Sequence, residues 1–113
     1  MKKIDCYIQP YNLDMVAEAL AVEGVRGMTV FEAKGFGVQR GFTRGEEVAA
    51  HEFRFHPKMC VEMVVLDEDV DRIVNALQTS IKSNQIGDGK IFVSPVDDAV
   101  RTRTGERGDD AIK

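Results

Sequence analysis

The residues whose types and spacing suit anion binding lie near the carboxyl end of the sequence, between Ile86 and Glu106. Gly87 and Gly89 can adopt a positive φ and let backbone N–H groups approach an anion closely. Asp88 tolerates the tight turn between them, and Lys90 adds a positive charge directly after it. This spacing predicts a loop that can hold an anionic ligand.

Two arginines follow this loop at a spacing that also suits an anion. Arg101 and Arg103 are two residues apart, so they project to the same side if the segment is extended. Their planar guanidinium groups match the geometry of phosphate oxygens. A β-turn followed by a solvated basic edge would show the same pattern, so the pattern alone leaves both interpretations open.

The same stretch resembles the carboxyl-terminal signature of the P-II signal-transduction family, the nitrogen regulatory P-II proteins. The resemblance extends over essentially the whole chain, apart from one loop. The runs that carry it are Ser83–Val93, Arg101–Glu106, Ile4–Asp5, Gln9–Tyr11, Gly27–Val30, Lys34–Gly37 with Gln39, Pro57–Lys58, and Glu62 with Val64–Val65.

The resemblance implies a homotrimer that binds ATP or ADP in clefts between adjacent subunits. It implies adenine and ribose contacts on neighbouring strands, and arginines that reach the phosphates across the subunit boundary. Lys58 is implied as a ligand, although pairing with Glu62 would give it a purely structural role. The implied nucleotide-binding residues are Thr29, Gly35, Phe36, Gly37, Val38, Gln39, Lys58, Glu62, Val64, Ile86, Gly87, Asp88, Gly89, Lys90, Arg101 and Arg103.

Many relatives bind 2-oxoglutarate beside MgATP, and the resemblance places that site at the base of the departing loop. Val38 stands where an arginine is common in the family, and His56 replaces an apolar residue. These two departures leave 2-oxoglutarate binding open, with Mg²⁺ as an accompanying ion. The residues implied for this second site are Gln39, Arg40, Gly41 and Lys58.

Hydrophobic periodicity predicts the element order β, α, β, long loop, β, α, β. The predicted strands are Lys2–Gln9, Met28–Phe36, an alternating segment from Phe53 to Val65, and Ile91–Val93. Asn12 or Asp14 is predicted to cap the first helix, Gly24 to end it, and Asp67 to cap the second. This order predicts an α+β, ferredoxin-like βαββαβ sandwich: an antiparallel sheet with both helices on one face and the other, polar face open to a partner.

The whole chain, residues 1–113, is predicted to be one domain with three functional segments. Residues 37–55 form an exposed, mobile loop named here the T-loop, residues 82–90 a phosphate-binding loop, and residues 101–113 a carboxyl-terminal tail. By resemblance, the T-loop contacts a target protein, either a membrane transporter or an enzyme of nitrogen metabolism. The T-loop contains no tyrosine and Thr43 is its only hydroxyl residue, which excludes uridylylation of the kind known in bacterial relatives.

Composition narrows the remaining classes of function. A net charge of -4 argues against nucleic acid as the main partner, and no apolar run is long enough to span a bilayer, so we expect a cytoplasmic protein. No nucleophile stands beside a base, so we expect a regulator and not an enzyme. The alternatives are a P-II-like regulator of metal or inorganic carbon transport, or a metal-binding module that uses His51, His56 and Cys60. Cys6 and Cys60 are otherwise expected to be buried, reduced thiols.

Overall fold

The computed structural model describes residues 1–37, 52–82 and 89–113. Within these ranges it contains one four-stranded antiparallel sheet and two α-helices. The strands are β1 (Lys2–Ile8), β2 (Thr29–Gly35), β3 (His56–Val65) and β4 (Lys90–Pro95), and the helices are α1 (Leu13–Val22) and α2 (Val70–Ile81). The order of strands in the sheet is β2-β3-β1-β4. The predicted ferredoxin-like arrangement is confirmed.

Both helices cover the same face of the sheet because alternate strand residues are apolar. Ile4, Cys6 and Ile8 lie opposite Met63, Val61 and Met59 in the β1–β3 register. These side chains pack against the apolar stripes of the helices, and the resulting core is formed by Ile4, Cys6, Ile8, Val16, Leu20, Val61, Met63, Val65, Ile73, Leu77 and Ile81. The core fixes the register, since a slip by one residue would turn every apolar side chain away from the helices.

The helix ends agree with the sequence in part. Gly24 has a φ of +83°, and the Gly24 and Val25 amides donate to the Ala21 and Leu20 carbonyls in a Schellman motif. The predicted side-chain caps are wrong: neither Asn12 nor Asp69, the residues at the two N-cap positions, makes a capping hydrogen bond.

Short 3₁₀ turns, Pro10–Asn12 and Asp67–Asp69, lead into the two helices and take the place of those caps. Asp14 lies within the first turn of α1, and is not its N-cap. Asp67 instead forms an ion pair with the Met1 amino group at 2.9 Å, which holds the pKa of the Asp67 carboxyl below its usual range.

The third strand is shorter than its alternating pattern predicts. Phe53 and Phe55 precede β3 and are more than half exposed, so they do not extend the apolar face that begins at Met59. They pack against Phe36 instead, with ring centroids 5.1 and 5.0 Å away. Phe53 and Phe55 thus alternate in the sequence like residues of a buried strand face, although their role is to stack on Phe36 outside the strand.

The sheet face opposite the helices is open and only partly polar. Lys58 and Glu62 lie on this face, but Phe31 and Phe92 are also on it and are 43% and 53% exposed. Among the described residues, neither α1 nor α2 is long and apolar enough to cross a membrane, and no other helix there is.

Candidate functional site

The backbone at Gly89, the residue before β4, comes unusually close to β1. Gly89 has a φ of +133°, and a Cβ placed there would lie 2.2 Å from the Tyr7 carbonyl oxygen. The next residue, Lys90, lies directly opposite Tyr7 in the β1–β4 register. A residue without a side chain is therefore required at position 89, as the pattern predicts. Ile86, Gly87 and Asp88, the rest of this predicted loop, lie outside the described residues.

The second predicted glycine turn stands where β2 ends and β3 begins. Gly35 lies opposite His56, and a Cβ on Gly35 would lie 3.8 Å from the Lys58 Cγ, an ordinary contact. Neither Gly35 nor Gly37 has a positive φ, so turn geometry does not require glycine at either position. The remaining residues predicted here, Val38, Gln39, Arg40 and Gly41, fall outside the described ranges.

The two lysines of the predicted site are available to a ligand. Lys58 is half-buried on the open face and shares that face with Glu62, which lies four residues further along β3. The structure shows no hydrogen bond or ion pair for Lys58 or Lys90 with any described residue, so the alternative pairing of Lys58 with Glu62 is not observed. A positive charge without a partner is a suitable contact for a phosphate group.

The residues predicted to contact adenine and ribose lie at the opposite end of the sheet. Thr29, the first residue of β2, lies directly opposite Glu62. Val64 lines a cavity of about 390 Å³ together with Gly27 and the tail residues Ile112 and Lys113. This volume is within the range of small-molecule sites. Of the predicted site residues, Val64 alone is part of the cavity wall, which continues along Glu23, Asp69 and Arg72.

The two arginines occupy a turn and not an extended segment, so the condition under which they would project to one side is not met. Val100 and Arg107 form an isolated β-bridge, and the Gly105 amide donates to the Arg101 carbonyl at 2.7 Å to close the turn between them. Arg103 is exposed and has no hydrogen bond or ion pair to a described residue. The turn places both arginines beyond the carboxyl end of β4.

Arg101 is held by residues that the sequence analysis did not single out. Its Nη1 donates to Glu106 Oε1 at 2.6 Å, and its Nη2 donates to the Lys113 carbonyl oxygen at 2.9 Å. A hydrogen bond from Thr104 and the charge of Arg101 both lower the pKa of the Glu106 carboxyl. A salt bridge between Arg107 and Asp98 secures the base of the turn and lowers the pKa of Asp98. For the contacts of Arg101, the signal in the sequence was the acidic residue Glu106, five positions after it.

The predicted site residues thus fall into two groups along the strands, which come nearest to each other at Lys90, level with Phe31 and two residues along β2 from Thr29. The glycine group contains Gly35, Phe36, Gly37, Lys58, Gly89 and Lys90. The arginine group contains Thr29, Glu62, Val64, Arg101 and Arg103. Thr29 and Gly35 are the two ends of β2, and six residues of extended strand separate them by about 20 Å.

The two cysteines lie on opposite faces of the sheet. Cys60 is fully buried on the open face, beside Tyr7, while Cys6 is buried on the helix face. Burial is the main cause that raises the pKa of both thiols, that of Cys6 to about 11. The expectation of buried, reduced thiols is confirmed, since both cysteines are free.

The alternative of a metal site finds no support in the described part of the chain. Met59 and Met63 lie opposite Ile8 and Ile4 on the helix face, away from His56 and Cys60. No group of three or more histidine, cysteine, aspartate or glutamate side chains able to hold a metal occurs among the described residues. His51 lies outside those residues.

Comparison with known proteins agrees with the geometry. The family model described as nitrogen regulatory protein P-II matches residues 1–106. The chain belongs to the P-II family. Nitrogen regulatory protein P-II of Azospirillum brasilense is 50% identical over 112 residues, which cover 99% of this chain and 100% of the relative. The P-II proteins of Rhodospirillum rubrum and Cereibacter sphaeroides are 49% and 48% identical over the same coverage. The chain spans the full length of each of these three relatives.

Proposed function

We propose that this chain is a signal-transduction regulator that binds ATP or ADP between copies of itself and controls a target protein through the T-loop. Its membership in the nitrogen regulatory P-II family supports the regulatory role.

The observation that carries the proposal is the division of the candidate residues into two groups along the strands. Lys90 begins β4 and Arg103 follows Pro95, where β4 ends, so about 17 Å of extended strand stand between Lys90 and the turn that contains Arg103. We therefore infer that one nucleotide does not contact both residues of one chain. Both groups nevertheless have the character of a nucleotide site: unpaired lysines beside a backbone turn at one end, arginines beside a cavity at the other. The site is complete only if the glycine group of one copy meets the arginine group of the next.

A cyclic homotrimer provides that junction three times. In a closed ring, each subunit offers one end of its sheet to one neighbour and the other end to the second neighbour, which is a heterologous interface. The open face, with Phe31 and Phe92 exposed, provides apolar surface for such an association. The same arrangement would place the T-loops, which follow the glycine group at residue 37, beside the nucleotide that controls them.

Calorimetric titration of the purified protein with ATP and with ADP tests the proposal directly. We expect saturable binding of one nucleotide per subunit, and repetition with Mg²⁺ and 2-oxoglutarate decides whether the oxoacid is a second effector. Tightening of ATP binding by 2-oxoglutarate would make the chain a sensor of carbon and nitrogen status. Nucleotide binding that ignores 2-oxoglutarate would favour another pathway. Absence of nucleotide binding would refute the proposal.

Mixed oligomers test whether the site spans two copies. Lys90→Ala removes one half of every site and Arg103→Ala removes the other, so neither variant alone retains an intact junction. When the two variants are unfolded together and refolded as a mixture, about a quarter of the junctions in a random cyclic oligomer combine two intact halves. We expect tight binding to return at about that fraction of sites. A mixture that binds no better than either variant would contradict a site shared between copies.

A further inference from the structure

The tail supplies Arg101 with a substitute for the ligand that the arginine is proposed to bind. Both terminal nitrogens of its guanidinium donate to acceptors of the tail, Nη1 to the Glu106 carboxylate and Nη2 to the Lys113 carbonyl. A carboxylate is an anion of the same geometric class as a phosphate, since it accepts from the guanidinium through planar, charge-assisted hydrogen bonds. Arg103, two residues away, has no such partner among the described residues.

The backbone holds these partners in place. The Arg101 amide donates to the Glu106 carbonyl at 2.9 Å, and the Thr104 and Gly105 amides donate to the Arg101 carbonyl. Glu106 cannot drift away from Arg101 without opening the turn, and its backbone amide also donates to Thr104 Oγ1 at 3.3 Å. The pairing is therefore built into the turn and is not a chance contact between long side chains.

The second partner connects Arg101 to the cavity. Lys113 accepts from Arg101 through its carbonyl oxygen and also lines the cavity that contains Val64. Ile112, which lines the same cavity, is held by a hydrogen bond from its amide to the Asp109 carbonyl in the last 3₁₀ turn. A ligand that draws Arg101 away from Lys113 would loosen one wall of that cavity.

From these contacts we infer that Glu106 and the Lys113 carbonyl form a clasp on Arg101 that the nucleotide phosphates must open. Arg103 is ready to contact a phosphate at once, whereas Arg101 exchanges the Glu106 carboxylate for a phosphate oxygen. Glu106 thereby lowers nucleotide affinity, and opening of the clasp transmits phosphate binding to Ile112 and Lys113. This inference rests on the proposed nucleotide site.

Titration of the full chain with MgATP tests the clasp. Glu106→Gln keeps the shape of the side chain and removes its charge, and we expect it to tighten ATP binding about threefold to fivefold, the upper part of the range that an exposed ion pair contributes. Asp109→Asn is the matched control, because it removes one charge from the same tail without touching Arg101, and its effect should stay below about twofold. Thr104→Val leaves the carboxylate but removes the Oγ1 that accepts from the Glu106 amide, which loosens the turn, so it should shift affinity in the same direction as Glu106→Gln.

The Arg101→Ala background separates the clasp from general electrostatics. There, Glu106→Gln should have no more effect than Asp109→Asn, because the carboxylate no longer has an arginine to release. Equal effects of Glu106→Gln and Asp109→Asn in the otherwise unchanged protein, or weaker binding by Glu106→Gln, would overturn the inference and leave the nucleotide site standing. Failure of the unmodified protein and every variant to bind ATP would overturn the proposed function and the clasp together.

Discussion

Replacing Gly89 by alanine should damage both stability and the candidate site, because the position excludes a side chain on two independent grounds. Its φ of +133° is far from the left-handed minimum near +57° that L-residues occasionally adopt. A Cβ would also lie 2.2 Å from the Tyr7 carbonyl oxygen, a backbone atom that cannot rotate away. The start of β4 would have to move from β1.

The loss of stability in Gly89→Ala has two parts, backbone strain and the displacement of the chain at the start of β4. Backbone strain of this kind costs about 1–3 kcal/mol, and the forced shift of a packed segment about 1–3 kcal/mol more. Loss of chain entropy in the unfolded state offsets about 0.4–1 kcal/mol. We therefore expect Gly89→Ala to lower the free energy of unfolding by about 2–5 kcal/mol. Because the adjacent Lys90 pairs with Tyr7 in the sheet, ATP affinity should fall as well.

Two other glycines provide matched controls. Gly24 has a φ of +83° with nothing within 4 Å of an added Cβ, so Gly24→Ala isolates the strain term at about 1–2 kcal/mol. Gly27 has an ordinary φ and equally open surroundings, and Gly27→Ala should change stability by less than about 0.5 kcal/mol.

Urea denaturation followed by circular dichroism measures all three variants, at one fixed protein concentration because association would add to the apparent stability. The slope with urea should stay constant while the midpoint moves. If Gly89→Ala lost no more stability than Gly24→Ala, the close approach to Tyr7 would not be energetically important.

Three further predictions test the site, the core and the tail. Lys90→Ala should weaken ATP binding by about 1–3 kcal/mol in calorimetry through loss of a charge-assisted contact, whereas Lys34→Ala, on the other face of the sheet, should leave it unchanged. Leu77→Ala removes a fully buried side chain and should lower the free energy of unfolding by about 2–5 kcal/mol. Val22 is 80% exposed, so Val22→Ala is a near-neutral control, and equal urea midpoints for the two variants would contradict the assigned core. Asp98 has a pKa held below its usual range by Arg107, so its contribution to stability is present above the unfolded-state pKa and is lost as pH falls through the folded one. Asp98→Asn should therefore flatten the fall in thermal stability below about pH 4, and an unchanged slope would contradict the assignment.

The fold was predictable because its signals are local and repeated. Alternation of Ile4, Cys6 and Ile8 specifies the buried face of β1, and Gly24 specifies the end of α1 through a conformation that other residues disfavour. The errors arose where two physical causes share one pattern. Phe53 and Phe55 alternate like strand residues, yet they stack on Phe36, and acidic residues before α2 stand where a cap is expected but lie in a 3₁₀ turn.

The candidate residues came from family resemblance, and their geometry came only from the structure. Resemblance named Lys90 and Arg103 together, and nothing in their spacing reveals that Lys90 begins β4 whereas Arg103 lies in a turn after that strand has ended. The pairing of Arg101 with Glu106 and Lys113 depends on a turn that an isolated sequence does not specify. Such contacts require the tail to fold back, which is a tertiary effect beyond any local propensity.

The open face links the fold to the proposed site. Alternation predicted a polar face, but its centre is not polar. Cys60 is fully buried there, and the Tyr7 ring packs edge-on against Phe92 with ring centroids 6.1 Å apart. Phe31, directly opposite Cys60, leaves much of its ring exposed. A single chain therefore has an apolar surface without a cover, and the proposed nucleotide site would need a second copy to complete it. Under the proposed function, association of copies would meet both needs, because the contact that removes Phe31 and Phe92 from water would also bring the glycine group of one copy to the arginine group of another.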